Sequence, residues 1–471
     1  MKIKRLFTFL FMVAFCLPLS ACGIIAGSTN KSSNKSAIDD ESIPEGTLAA
    51  AYTESGFNGT EQELTFGENT YLYETVYSLK ILKGYRVKLY RNDGGIIVFN
   101  ADEKNLTESG WGTDIESYVI EQDTEETDEV VLNYNYIVGT QTFSPSYNFT
   151  SENAVLESAR RMAQMGSNVL KCWESDIYTI LEEIPTYKYI YMWYRSDNIN
   201  WHDGLSVEEA AEEYDYLYNL TKKLLINYNN TGKNFYIGHW EGDWYLLGSS
   251  RDTNIQALDT VLVKGMADWY NIRQKAIDDA KKEIKHKNVN VWGYAEANRV
   301  TDAYKFGFDR IVNSVLPCIN IDYLSYSSYD IQDNSQKDLN NYIDYMKEML
   351  PVKVGVPEPR IFIGETGHPA RATKTQDEHN SVNINSIAGF LKTNVKQILY
   401  WEMYNNEVTG IDQVGYWLID DKNQKWKLYY SIQALLYNAK EYVRDYYSQN
   451  GIAPPVDEYS EWAADFLLSM S

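Results

Sequence analysis

Apolar positions along the chain change period several times, and each change marks an element boundary. Leu6 to Leu19 make an apolar run, interrupted only by Thr8 and Pro18, behind the cationic start Lys2-Ile3-Lys4-Arg5. That run is too short to favour a spanning helix and has the layout of a secretory signal over residues 1–21. Residues 22–46, with Ser28-Thr29-Asn30-Lys31-Ser32-Ser33-Asn34-Lys35-Ser36 at their centre, have little to bury and read as a flexible tether. Over 47–121 short alternating runs (Val76, Leu79, Ile81, Val87, Leu89, Ile97, Phe99, Ile115, Tyr118, Ile120) are separated by Gly84, Asn92-Asp93-Gly94-Gly95 and Gly110, which predicts an all-β unit. Residues 122–129 are acidic, lack apolar side chains and read as a linker.

Beyond residue 130 strand-like apolar runs alternate with helical patterns up to about 447. Val131 to Val138 predicts a first strand, and a helix follows with Ser151 as its cap and Val155, Leu156, Ala159, Met162 and Ala163 on one face, ending at Gly166. Further strands are expected at Asn168–Trp173, Tyr187–Trp193, Asn234–Trp240, Val289–Tyr294, Cys318–Leu324, Arg360–Gly364 and Gln397–Trp401, each pair separated by enough chain for a crossover helix. Together they predict an α/β fold, a (β/α)8 TIM barrel behind a small N-terminal all-β domain. A doubly wound sheet would carry a Gly-rich phosphate turn after an early strand, and none is present. Residues 448–471 read as a C-terminal tail with a short amphipathic helix.

Composition narrows the partners. The 471 residues hold 43 Lys+Arg against 66 Asp+Glu, a formal net charge of −23, which excludes a binder that works by neutralising nucleic-acid phosphates. Loss of Lys2, Lys4 and Arg5 with the signal makes the charge more negative still, so attachment to an anionic membrane through basic side chains is not expected. The chain has 39 Tyr and 12 Trp, amphipathic rings that suit sugar faces as well as cores. Cys172 and Cys318, the cysteines outside the export segment, are expected as buried free thiols.

At Leu19-Ser20-Ala21-Cys22-Gly23 the sequence resembles the lipobox of bacterial lipoproteins. The resemblance implies cleavage before Cys22, lipidation of its thiol and a membrane-anchored location on the extracytoplasmic face. The β-rich region is similar to a βγ-crystallin double Greek key, with Tyr77-Ser78-Leu79-Lys80-Ile81 and Ser117-Tyr118-Val119-Ile120 where that family carries its Ser-containing strands. Tyr52 to Gly59 is echoed by Val87 to Gly95 as an aromatic followed by a polar Gly turn. Many microbial members bind calcium through acidic pairs before that Ser. Here the corresponding stretches are Tyr73-Glu74-Thr75-Val76-Tyr77-Ser78 and Thr113-Asp114-Ile115-Glu116-Ser117, in which most of those pairs are missing.

In a barrel the chemistry sits where strands end in loops at the C-terminal face. The expected ends carry Trp173-Glu174, His239-Trp240-Glu241-Gly242-Asp243-Trp244, Tyr294-Ala295-Glu296, Asp322-Tyr323, Gly364-Glu365-Thr366-Gly367-His368 and Trp401-Glu402-Met403-Tyr404-Asn405. Repeated carboxylates and indoles suit a sugar site and would be costly in a purely structural rim. The stretch from Val131 to about Tyr442 resembles retaining glycoside hydrolases of clan A, most closely in Ile361-Phe362-Ile363-Gly364-Glu365-Thr366-Gly367. By strand order the resemblance implies Glu241 as acid/base and Glu365 as nucleophile, with their carboxyl groups about 5–5.5 Å apart, and Trp401 as a sugar-facing ring. Two positions depart from the clan: Trp240 stands where Asn usually precedes the acid/base, and Lys171 where an Arg supports the nucleophile.

Supporting substrate contacts are expected from Trp173, His239, Trp240, Glu296, Tyr323, Tyr326, Trp401 and Glu402, with Tyr323 or Tyr326 orienting the nucleophile. Asp243, Glu296 and Glu402 are alternative acids or hydroxyl binders. His239, His368 and His379 lack metal-ligand spacing, and no metal or other cofactor is expected. The functional expectation is a lipid-anchored glycosidase acting on an oligo- or polysaccharide; the alternative is a non-catalytic surface lipoprotein that captures carbohydrate.

Overall fold

The computed structural model describes residues 47–64, 67–72, 75–82, 84–91, 96–107, 115–123, 128–196, 198–248 and 251–471. The signal, Cys22 and the tether lie outside the described residues, as do Tyr73, Glu74, Thr113 and Asp114 of the calcium comparison and 124–127 of the acidic run.

The N-terminal unit is all β. Strands β1 (Ala49–Glu54), β2 (Asn58–Leu64), β3 (Gly67–Tyr71), β4 (Ser78–Ile81), β5 (Tyr85–Arg91), β6 (Ile96–Phe99) and β7 (Ile115–Gln122) form two sheets in the orders β2-β1-β4 and β3-β7-β5-β6. β3 leaves its sequence neighbours to pair with β7 in the other sheet, the strand exchange of a Greek key. Ser78 fastens the turn after β1: its hydroxyl donates to the Glu54 carbonyl at 2.7 Å and accepts from the Phe57 N–H at 3.0 Å. The inward side chains Leu79, Val87, Leu89, Ile97, Tyr118 and Ile120 are all buried.

The barrel strands are β8 (Val138–Thr140), β9 (Val169–Trp173), β10 (Tyr189–Trp193), β11 (Asn234–Gly238), β12 (Asn290–Ala297), β13 (Tyr323–Ser327), β14 (Ile361–Thr366) and β15 (Ile398–Tyr400). From β9 onward each strand pairs in parallel with the next, and β15 pairs back with β8. The ring closes where the Thr142 N–H donates to the Lys171 carbonyl at 2.9 Å and Gly139 packs against Val169.

Several boundaries differ from the sequence expectation. The Asp128 carboxylate accepts from the Val130 N–H and caps a short helix, Glu129–Asn133, so the first strand begins only at Val138. Asn153, two residues after Ser151, caps the helix Ala154–Gln164. Leu316–Cys318 is a 3-10 turn carrying Pro317, and the sixth barrel strand starts five residues later than Cys318, at Tyr323. Cys172 is a buried free thiol, whereas Cys318 is free and exposed. The residues expected as a tail belong to the body. Helix Lys427–Asn450 runs through residue 448, and helix Val456–Leu468 buries Tyr459, Ala463, Ala464 and Leu467, with the Tyr459 hydroxyl donating to the Tyr136 carbonyl at 3.0 Å.

Much of the Tyr content fills the barrel. Tyr191, Tyr236, Tyr294 and Tyr323 share its interior with Trp193, Trp292 and Phe362, and the rings of Tyr191 and Tyr236 stack 4.3 Å apart. Rings of this size need small neighbours: a β-carbon on Gly238 would lie 2.2 Å from the Tyr294 ring. Strand alternation points Phe362 and Gly364 inward and Ile361 and Ile363 outward, which would send Glu365 out as well. A register shift prevents this. Tyr326 pairs with Ile363 but Ser327 pairs with Glu365, and the irregularity brings Glu365 to the mouth.

Gly364 makes that shift possible, because its β-carbon would lie 2.0 Å from Ser325 Oγ and 2.7 Å from Glu296 Oε2. Gly364→Ala is expected to destabilise the fold by about 1–3 kcal/mol through overpacking, read as a lowered urea midpoint.

Candidate active site

The C-terminal mouth of the barrel holds a cavity of about 540 Å³ lined by Trp173, Trp193, Trp240, Glu241, Glu365 and Trp401, among others. Its rings form one packed group. Phe143 stacks on Trp193 at 3.8 Å and on Trp401 at 5.6 Å, and Trp173 meets Trp193 edge-on at 5.4 Å. The Trp401 indole donates to Glu407 Oε1 at 3.0 Å, and the Trp401–Glu402 peptide is cis.

Beneath the cavity a charged cluster is shut from water. Lys171 on β9 and Glu296 on β12 are both fully buried, with Lys171 Nζ 3.3 Å from Glu296 Oε2 and 3.7 Å from Glu365 Oε1. Lys171 also donates to the Gly364 carbonyl at 2.9 Å and lies 4.5 Å from the centre of the Trp193 ring. Glu296 accepts from the Ser325 hydroxyl at 2.7 Å and, through Oε1, from the Glu241 N–H at 2.9 Å. One buried carboxylate thus fixes the position of Lys171 and the backbone that carries Glu241.

Glu241 begins the helix Gly242–Leu247, and its Oε2 accepts from the Trp244 indole at 2.9 Å. Burial, reinforced by the Glu296 charge, pushes its pKa up to about 8 against the opposing pull of Trp244, Lys171 and Arg251. Glu365 is also held above the usual carboxylate range by burial and by the charges of Glu241 and Glu296, opposed by Lys171 and by the Tyr329 hydroxyl, which donates to Oε2 at 3.2 Å. The ammonium and the phenol oppose that rise at Glu365, whereas at Glu241 the largest opposing contact is the Trp244 indole.

Five residues proposed as substrate contacts sit elsewhere or do other work. Tyr323 begins β13 at the opposite end of the strand from the mouth, packs on Tyr236 and Trp292, and donates to the Pro357 carbonyl at 3.2 Å. Tyr326 points outward from β13 and donates to Asp330. The tyrosine beside Glu365 is Tyr329, just past the true strand end, and the strand expected at Cys318–Leu324 hid it. His239 is sealed between the Trp240 carbonyl and the Tyr270 hydroxyl, and burial lowers its pKa to about 3. Glu402 is buried and accepts the Phe143 and Asn406 N–H groups at 3.2 and 3.1 Å. Glu296 underlies the cavity instead of lining it. Asp243, an alternative acid, is consumed by the N–H groups of Asn298, Arg299 and Ile311. Trp173, Trp240 and Trp401 line the cavity with both candidate catalytic glutamates. Trp193, Trp244, Tyr329 and Glu407, which also line it, were not singled out from the sequence. Among the described residues no cluster of His, Cys, Asp and Glu is placed to hold a metal ion.

No family model matches the chain, and no curated protein matches it by sequence. Solved structures similar to it include a family 39 glycoside hydrolase from Bacteroides cellulosilyticus WH2, at 11% identity over 77% of this chain and 79% of that one, TM-score 0.42. An exo-beta-1,4-mannosidase from Opitutaceae bacterium strain TAV5 aligns at 10% identity over 65% of this chain and 60% of that one, TM-score 0.44. A calcium-bound βγ-crystallin domain of Abundant Perithecial Protein from Neurospora crassa aligns at 13% identity over 17% of this chain and 93% of its own, TM-score 0.15.

The raised pKa of Glu241 has a cost in stability. A carboxyl that holds its proton more tightly when folded loses stabilisation as pH rises from its ordinary value of 4.5 toward about 8. Glu241→Gln removes that dependence. Its melting temperature relative to the parent is expected to rise between about pH 5 and about pH 8, measured by thermal denaturation.

Proposed function

We propose that the chain is a glycoside hydrolase that cleaves O-glycosidic bonds with retention, Glu365 acting as nucleophile and Glu241 as acid/base. The observation that carries this reading is the presence of two carboxyls with different supports in one ring-lined cavity: Glu365 beside an ammonium and a phenol, Glu241 beside an indole and the Glu296 carboxylate.

Glu365, ionised beside Lys171, attacks the anomeric carbon and forms the glycosyl-enzyme while Glu241 gives its proton to the leaving oxygen. Glu241 then takes a proton from the water that releases the sugar. Positive charge developing on the sugar ring is stabilised by the carboxylates beneath it. Trp173, Trp193 and Trp401 present faces on which sugar C–H groups stack, and Trp240 occupies the wall beside Glu241. In this reading the chain is exported and held at the extracytoplasmic face by a lipid on Cys22, and its substrate is an oligo- or polysaccharide. A protein that only captured carbohydrate would not need two glutamates with different supports lining one cavity.

Glu365→Gln is expected to abolish release of reducing sugar from a panel of polysaccharides and aryl glycosides. Glu241→Gln is expected to slow poor leaving groups by roughly 10²–10⁴-fold while sparing activated aryl leaving groups, and the first-formed anomer, followed by NMR, retains its configuration. Binding without turnover by the folded parent across the panel favours the capture alternative. Turnover unchanged in Glu365→Gln removes the nucleophile assignment.

Glu296 sets the charge around the pair. Glu296→Gln removes one negative neighbour from both glutamates and frees Lys171 to act on Glu365, so both carboxyl pKa values fall. The acid and alkaline limbs of the kcat/KM profile are expected to move together to lower pH. Limbs that stay in place show that Glu296 has only a structural role.

A further inference from the structure

We infer that the groove between the β-rich domain and the barrel is a second, non-catalytic site, and that it binds an acidic saccharide. This inference does not depend on the reaction proposed for the barrel mouth.

The groove encloses about 510 Å³, within the range of small-molecule sites. One wall is the loop after β6, residues 100–105. The other is the end of helix Ala154–Gln164 together with residues 422–425, and its floor is helix Lys427–Asn450. Its charge runs against that of the chain. In a protein of net charge −23, Lys104, Arg161, Lys422 and Lys425 meet here against only Asp102 and Glu103. Both acids are already engaged: Glu103 pairs with Lys425 at 3.3 Å, and Asp102 Oδ1 accepts the Ile81 N–H at 2.8 Å. Lys104, Arg161 and Lys422 have no ion-pair partner among the described residues. Arg161 gives Gln164 one 3.4 Å hydrogen bond and reaches the Tyr404 hydroxyl, which leaves further N–H donors of its fork.

The floor adds an amide side chain. Gln433 borders the groove at 5% exposure, and its Oε1 is buried without a hydrogen-bond partner among the described residues. Asn100, Asn105, Asn423 and Gln424 line the walls with further amides, each both donor and acceptor. Unpaired cations select a carboxylate and the amides select hydroxyls. A uronate-containing saccharide combines the two, whereas a bare anion leaves the amides and most of the volume unused.

The test is calorimetric titration of the full chain with tetramers of galacturonate, mannuronate and guluronate, with maltotetraose as the neutral control and inorganic phosphate as the bare anion. At least one uronate tetramer is expected to bind, maltotetraose is not, and added salt weakens binding. Arg161→Gln, and independently Lys422→Glu at an exposed position, are expected to weaken it about tenfold or more, the worth of one charge-assisted hydrogen bond. Trp401→Ala, which removes a stacking face from the barrel mouth, is expected to bind the uronate like the parent. The proposal is overturned if no uronate tetramer binds, if maltotetraose or phosphate binds as tightly, or if Lys422→Glu binds undiminished. Binding lost only in Trp401→Ala also overturns it, because the acidic sugar then sits in the barrel mouth.

Discussion

Lys171 is buried with its ammonium 3.3 Å from Glu296 and 3.7 Å from Glu365, and the barrel mouth is arranged around that single positive charge. A buried ammonium is tolerated only when its desolvation is offset by charge and hydrogen bonds. Here the offset comes from two carboxylates, the Gly364 carbonyl and the face of Trp193. With Glu241 added, three carboxyl groups share the neighbourhood of this buried cation, and Arg251 acts on Glu241 from outside it. Burial and mutual repulsion raise both glutamates above the ordinary carboxylate range, and in the proposed reaction Glu241, which has an indole N–H where Glu365 has an ammonium and a phenol, is the one that carries the proton.

Glu296 ties this electrostatic arrangement to the fold. Its two oxygens reach the backbone at Glu241 on one side and Lys171 and Ser325 on the other. The strand ends after β11, β9 and β13 are thereby referenced to the same carboxylate. Gly364 has no side chain because Ser325 and Glu296 occupy that space, and the register shift beside it turns Glu365 inward. Packing and chemistry are one constraint at this point.

The β-rich domain is packed against the barrel. Phe99 lies 6.3 Å from the ring of Tyr430, Asn438 donates to the Ile96 carbonyl at 2.8 Å, and Lys88 and Lys425 pair across the seam with Glu441 and Glu103. Apolar and polar contacts alternate along this junction, so it holds both a buried core and a polar groove.

The alternation of apolar runs and helical stripes was enough for the sequence to determine the barrel, because a parallel strand buried on both faces and its amphipathic helix each leave a local pattern. The order of those strands also placed Glu241 and Glu365 at strand ends, and Gly84 marked the turn between β4 and β5. Local pattern could not show that β13 starts at Tyr323, since Cys318 to Leu324 is as apolar as the true strand, and so Tyr329 stayed hidden while Tyr323 and Tyr326 were favoured. Nor could it tell the fully buried Glu296, Glu402 and His239 from residues that face the cavity, because which way a polar group at a strand end or in a loop faces depends on partners far away in the chain. The tertiary structure alone decided the inward turn of Glu365, the partners of Lys171 and the charge of the seam groove, all of which depend on distances between residues tens to hundreds of positions apart along the chain.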